Sequence, residues 1–167
     1  SKKGDYKTAF SFFEKAATKG ESAAQFNVGL YYHTGRGVLQ DYAEAYRWYK
    51  LAAAQGTAVA QYHLGLLYFN GEGGLQDYSE AVRWYKLAAA QELASAQYHL
   101  GKMYDTGEGV LQDFLQTHMW VNLAALSGSK DAQKARDFFA EKMTSRQVTK
   151  AQAMAKKCLA SNYKDCG

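Results

Sequence analysis

The sequence predicts an all-α fold built from one helix–loop–helix unit repeated along the chain. Three observations predict it. The pattern Gly-x-Gly-[Val/Gly]-Leu-Gln-Asp-[Tyr/Phe] starts at Gly35, Gly71 and Gly107, at a fixed period of 36 residues. A period of this size marks stacked supersecondary units rather than one core around a single pocket. Between the Gly-rich signals, apolar residues fall at helical spacing: Ala45, Trp48, Tyr49 and Ala52 lie at i, i+3, i+4 and i+7, one face of a helix. The composition also suits helices that bury a face. The 167 residues are 47% apolar, 13 of them are Tyr, and none is Pro. Disorder is therefore not expected.

The first helix of the unit is expected over 5–20, 41–56 and 77–92, where Ala9, Ala45 and Ala81 align, as do Phe12, Trp48 and Trp84. Asp5, Asp41, Asp77 and Asp113 stand where an N-cap oxygen would accept an orphan backbone N–H. Gly20 and Gly56 suit the C-terminal end, where a left-handed residue is easy only for Gly. Glu92 replaces them in the third copy. The second helix is expected over 21–34, 57–70 and 93–106, with Ala60, Leu64, Leu67 and Tyr68 facing inward in the second copy. Gly29, Gly65 and Gly101 fall mid-helix, where Gly costs roughly 0.5–1 kcal/mol relative to Ala. Three such positions at one phase predict a neighbouring helix too close for a Cβ. The Gly-x-Gly loops lie between helices in three copies and carry no Lys-Ser/Thr, so they read as structural turns rather than phosphate loops.

In the fourth copy Trp120, Ala124, Ala125 and Gly128 keep the first-helix pattern, but the helix at about 129–142 replaces Leu-Gly by Arg136-Asp137. A terminal unit with no neighbour on one side should turn polar in this way. Thr144 to Gln147 reads as a capping box opening a last helix to about 160, with Val148, Ala151, Ala155 and Leu159 on one side. Cys158 and Cys166 admit two free thiols, a disulfide or a metal site on spacing alone. At the other end Phe10, Phe12 and Phe13 are expected to be partly uncovered.

The run A-x-A-Q-[YF]-x-[LV]-G-x-x-Y-x-x-G-x-G-x-L-Q-D-[YF]-x-x-A-x-x-W-Y-K-x-A-A resembles the Sel-one-like repeat (SLR) family, relatives of the tetratricopeptide repeats, over residues 5 to about 130. Leu39, Leu75 and Leu111 depart from the Pro that such repeats often carry. The resemblance implies a right-handed α-α solenoid occupying residues 1–167 as one domain. Its repeats would run over about 5–40, 41–76, 77–112 and 113–143, followed by a cap helix at 144–160 and a Cys-containing tail at 161–167. It also implies that Cys158 and Cys166 pair, as cysteines so spaced do in secreted cysteine-rich SLR proteins. The ending KKCLASNYKDC looks like the tail of exported bacterial SLR proteins. A periplasmic or secreted location is therefore expected.

Function is read from the face of the second helix that changes between copies. Val59, Tyr62, Leu66, Phe69 and Asn70 correspond to Ala23, Phe26, Leu30, His33 and Thr34, to Ser95, Tyr98, Lys102, Asp105 and Thr106, and in the cap to Asp131, Lys134, Phe138, Glu141 and Lys142. By resemblance to tetratricopeptide proteins these positions line a concave groove. The groove would bind a protein or peptide ligand through Phe26, Tyr62, Phe69, Tyr98 and Phe138 as aromatic anchors. His33, Leu66, Asn70, Lys102 and Asp105 would complete it. The opposing reading is that some of these rings simply pack between repeats. His63 and His99 share one position beside this face, with a structural role the blander alternative. No helix offers His at i and i+4 with a carboxylate, so no metal site, cofactor or catalytic residue is expected. Charge argues against nucleic acid. Residues 1–19 and 130–167 are basic, but the stretch between has six basic and ten acidic groups and offers no basic stripe. No apolar run reaches the length of a membrane span. The expected function is a non-enzymatic scaffold. Two alternatives stand beside it. One is a self-associating adaptor, which would make the chain a homo-oligomer. The other is a β-lactam or cell-wall hydrolase, since some cysteine-rich SLR proteins are linked to such chemistry.

Overall fold

The computed structural model describes residues 2–74 and 76–166, with side chains from Asp5 onward; Leu75 of the Leu39/Leu75/Leu111 series lies outside them. Nine α-helices and one 3-10 turn make up the regular structure of the described residues, with no strand among them. The chain divides into two compact units, Ser1–Asp77 and Tyr78–Gly167.

Unit 1 holds α1 (Lys2–Ala17), α2 (Ser22–Thr34), α3 (Tyr42–Ala54), α4 (Ala58–Asn70) and the 3-10 turn Glu72–Gly74. Each helix packs on the next. Asp41 caps α3 as expected, its Oδ1 accepting from the backbone N–H groups of Ala43 at 2.9 Å and Glu44 at 3.0 Å. Asp5 does not cap: it lies inside α1, whose helix runs upstream to Lys2. The four residues before Asp5 are Ser-Lys-Lys-Gly rather than the Gly-x-Gly-x-Leu-Gln loop that interrupts the chain before Asp41. The mid-helix glycine of α2 has the cause anticipated. A Cβ on Gly29 would fall 2.6 Å from Cδ1 of Tyr49, itself fully buried on α3. Phe10 and Phe13 pack with Tyr32 and Trp48 against Ala17, Ala24 and Val28, whereas Phe12 stays 72% exposed.

Unit 2 holds α5 (Tyr78–Ala89), α6 (Ala94–Thr106), α7 (Phe114–Leu126), α8 (Lys130–Glu141) and α9 (Ser145–Ala160). Asp113 caps α7 as Asp41 caps α3. A Cβ on Gly101 would meet Cγ2 of Val121 at 2.6 Å, so α6 and α7 repeat the close approach of α2 and α3. Glu92 takes φ +64° where Gly20 and Gly56 take +93° and +87°. The copy without Gly thus keeps the left-handed turn, a conformation uncommon for a non-Gly residue. The Thr144–Gln147 capping box is formed. The buried face of α9 differs from the sequence expectation. It is Ala151, Ala155 and Cys158, while Leu159 is 41% exposed. Ala151, Ala155 and Cys158 lie at i, i+4 and i+7 on one side of the helix, and Cys158 is bonded to Cys166.

A polar contact repeats with the units. Gln25, Gln61 and Gln97 are buried and donate through Nε2 to the Ala17, Ala53 and Ala89 carbonyls at 3.3, 3.4 and 3.2 Å. In unit 1 the Gln55 amide, at the end of the next first helix, donates to Gln25 Oε1 at 2.8 Å and to the Gly20 carbonyl at 2.9 Å. The equivalent of Gln55 two periods on is Ser127, whose short hydroxyl donates to the Ala124 carbonyl instead. The side chain hydrogen-bonded to Gln97 is that of Tyr163, from the tail. The tail is further held by the disulfide, by Gln116 Nε2 donating to the Cys166 carbonyl at 3.3 Å, and by a Lys157–Asp165 ion pair at 2.6 Å.

Candidate functional site

The second helices α2, α4, α6 and α8 carry the variable positions, and the two units use them differently. In unit 1 the side chains turn on one another. Phe26 stacks on Tyr49 with centroids 5.6 Å apart and lies 5.3 Å from the His63 ring. Tyr62 also meets the His63 ring, at 5.5 Å. His33 places Nδ1 3.2 Å from the Tyr49 hydroxyl and Nε2 3.1 Å from Glu72 Oε2. Asn70 Nδ2 donates to Glu72 Oε1 at 3.4 Å. Leu66 and Phe69 are half-buried. Burial, reinforced by the neighbouring His33, pushes His63 down to about 4, so at neutral pH it is an uncharged ring within an aromatic cluster. Burial raises the Tyr49 hydroxyl, with the Glu72 carboxylate adding to the effect, and burial raises Tyr62 as well. This favours the packing reading for Phe26, His33 and His63. Tyr49 and Glu72, which complete the cluster, were not among the expected site residues. Tyr49 belongs to a first helix, and Glu72 follows the helix-ending glycine, so neither lies on the stripe that periodicity picks out.

In unit 2 the same positions border open space, although Tyr98 also packs on Ala124, Ala125 and Ala132. Tyr98, Lys102 and Asp105 of α6 face Asp131, Lys134 and Phe138 of α8 across a cleft of about 540 Å³. Phe138 is 51% exposed and Lys142 holds its ammonium 4.0 Å over that ring, a cation–π contact. At the end of the cleft, and sharing Asp105 and Phe139 with it, lies a more enclosed hollow of about 180 Å³ with Phe114, Lys142, Met143 and Gln147 in its walls. His99 sits beside Tyr98 and Tyr85, its Nδ1 2.9 Å from the Ser95 carbonyl. Burial lowers its pKa, against a raising effect of that carbonyl and with the nearby Lys102 adding to the fall. Phe114, Phe139 and Met143 were missed because they belong to loop-flanking or packing positions of the repeat.

Among the described residues no group of three or more His, Cys, Asp or Glu could hold a metal ion. No helix of the described residues is long and apolar enough to cross a membrane. Ser127 and Ser161 each precede a lysine by three residues, a Ser-x-x-Lys spacing. Both hydroxyls donate to carbonyls of the preceding helix, Ala124 at 2.7 Å and Cys158 at 2.9 Å, and serve as helix-end contacts.

Sel1 repeats match residues 1–21, 22–57, 58–93 and 94–129. Among solved structures, the chain is similar to a protective antigen of uropathogenic Escherichia coli that displays an SLR fold. The two superpose with a TM-score of 0.84 at 29% identity over 93% of this chain and 34% of the antigen. It is also similar to a Sel1 repeat protein from Oxalobacter formigenes, with a TM-score of 0.69 and 35% identity over 76% of this chain and 96% of that one. Curated relatives named DAP3-binding cell death enhancer 1, from Rattus norvegicus and Mus musculus, are 58% identical over 40 residues, which is 24% of this chain and 8% of theirs. The chain thus spans a small part of those relatives and about a third of the antigen. The fold is the all-α SLR array of repeats of about 36 residues, and the chain belongs to the Sel1 repeat family.

Proposed function

We propose that this protein is a non-enzymatic scaffold that holds a peptide or protein segment on the variable face of its second helices, with residues 1–167 acting as one array. The family supports the general role, since Sel1 repeats generally mediate protein–protein interaction. The observation that carries the site is the unit 2 cleft, where Tyr98, Lys102, Asp105 and Phe138 converge from two helices around an open apolar floor. Aromatic rings beside unpaired surface charge are the usual makings of an interface. Phe26, His33, Tyr62 and His63 shape unit 1 rather than contact the partner, and Leu66, Phe69 and Asn70 extend the face there. The disulfide supports work in an oxidising compartment, the bacterial periplasm or the exterior.

The test is a pull-down from an extract of the source cell envelope, with the wild-type protein beside a Tyr98→Ala/Phe138→Ala variant whose fold is checked by circular dichroism. A partner held by wild type and lost by the variant supports the cleft. A partner held equally by both places binding elsewhere. A self-associating adaptor is the second reading, favoured by the exposed Phe12 beside shallow depressions on α1. Concentration-dependent mass in solution, abolished by Phe12→Ser, would support it.

A further inference from the structure

Resting on the scaffold reading, we propose that the hollow at the end of the unit 2 cleft is an anchor pocket for one aromatic side chain of the bound segment, flanked in that segment by an acidic residue. Size argues for the anchor. An apolar cavity of about 150 Å³ takes up benzene, and the hollow offers about 180 Å³ with Phe114, Phe139 and Met143 in its walls. Phe139 is 9% exposed and forms a fixed wall, while Phe114 is 51% exposed and stands at the entrance. A chain lying in the cleft can drop a side chain into the hollow because the two spaces share Asp105 and Phe139.

Charge argues for the neighbour. Lys102 and Lys134 line the cleft and Lys142 the hollow, against the carboxylates of Asp105 and Asp131. None of these five side chains joins an ion pair among the described residues. The Lys142 ammonium rests on an aromatic face rather than on a carboxylate. The surplus is one positive charge, so a ligand carboxylate beside the anchor meets a lysine without breaking an existing pair. Asp105, at the junction of cleft and hollow, is placed to accept a peptide N–H.

Three probes test this by two-dimensional NMR titration of the isotope-labelled full chain: N-acetyl-Asp-Phe-amide, N-acetyl-Lys-Phe-amide and N-acetyl-Asp-Ala-amide. Expected are shifts at Phe114, Phe139 and Met143, with the Asp-Phe probe at least about tenfold tighter than Asp-Ala. It should be roughly threefold tighter than Lys-Phe, the size of an exposed ion-pair preference. Lys102→Glu/Lys134→Glu should reverse the Asp/Lys order while leaving the Phe/Ala order, and Phe114→Ala should weaken both Phe probes. Equal binding of the Ala and Phe probes, no binding of either, or shifts away from the hollow would overturn the anchor. If the envelope partner is nonetheless lost from the Tyr98→Ala/Phe138→Ala variant, the scaffold reading stands and only the anchor falls.

Discussion

Phe26 and Tyr98 hold the same position of the repeat two periods apart and are both half-buried, yet Phe26 packs among aromatic rings whereas Tyr98, seated on Ala124, Ala125 and Ala132, also borders a cleft. Phe26 stacks on Tyr49 and touches His63, while Tyr98 looks across to α8. The difference comes from their neighbours. His33 reaches Tyr49 and Glu72 and helps close the surface of unit 1. Its equivalent Asp105 has no such ring, and the equivalent of Leu30 is Lys102, a charge that stays in water. Position in a repeat therefore sets where a side chain starts, and the residues one turn away decide whether it becomes core or contact surface.

If that contrast is right, truncation should damage unit 1 through stability and unit 2 through binding. The largest effect is expected from Tyr49→Ala, which removes a fully buried ring at the centre of the unit 1 cluster. A loss of about 3–5 kcal/mol in urea unfolding is expected, against less than about 1 kcal/mol for the half-exposed Phe138→Ala. Similar losses for the two would break the comparison. Next comes the tail of unit 2. Reduction, or Cys158→Ser/Cys166→Ser, should lower stability by about 2–3 kcal/mol through loop-closure entropy, read as a lower Tm, with no free thiol titrating in the untreated protein. A comparable effect, about 3 kcal/mol once the titration is complete, is expected from acid. Below about pH 6.5 the unfolded chain binds a proton at His63 that the folded chain refuses until about pH 4. Stability should therefore fall as pH drops through that window, and His63→Phe should flatten the slope. Smallest is Tyr163→Phe, which deletes the hydrogen bond to Gln97 and should lower stability by about 1 kcal/mol without changing partner affinity.

The 36-residue period, the Asp caps at 41 and 113, the glycines that end the helices and the capping box at Thr144 were all legible because each is a local rule written in adjacent residues. The cause of Gly29 and Gly101 was legible too, since a glycine at one helical phase implies a close neighbour. Asp5 misled, because a cap depends on what interrupts the helix before it. Leu159 misled, because Cys158, one residue earlier, fills the inward position at i+7 from Ala151. The variable face was legible as a set of positions, but not its division into a packed cluster and an open cleft. That division depends on Tyr49, Glu72, Phe114 and Met143, which lie off the stripe and come together only in three dimensions.

The glutamine contact sets an order of assembly. Unit 1 completes it between Gln25 and Gln55, 30 residues apart. Unit 2, with Ser127 too short to reach, completes it between Gln97 and Tyr163, 66 residues apart. Closing the longer loop adds only about 0.7 kcal/mol of entropy, but it changes the timetable. Unit 1 has both partners of its contact in hand once Gln55 has been made. Unit 2 must wait for Tyr163, and its covalent lock for an oxidant, a step of seconds to hours. A newly made chain therefore passes through a stage in which unit 1 is finished and the last helices of unit 2 are held by packing alone.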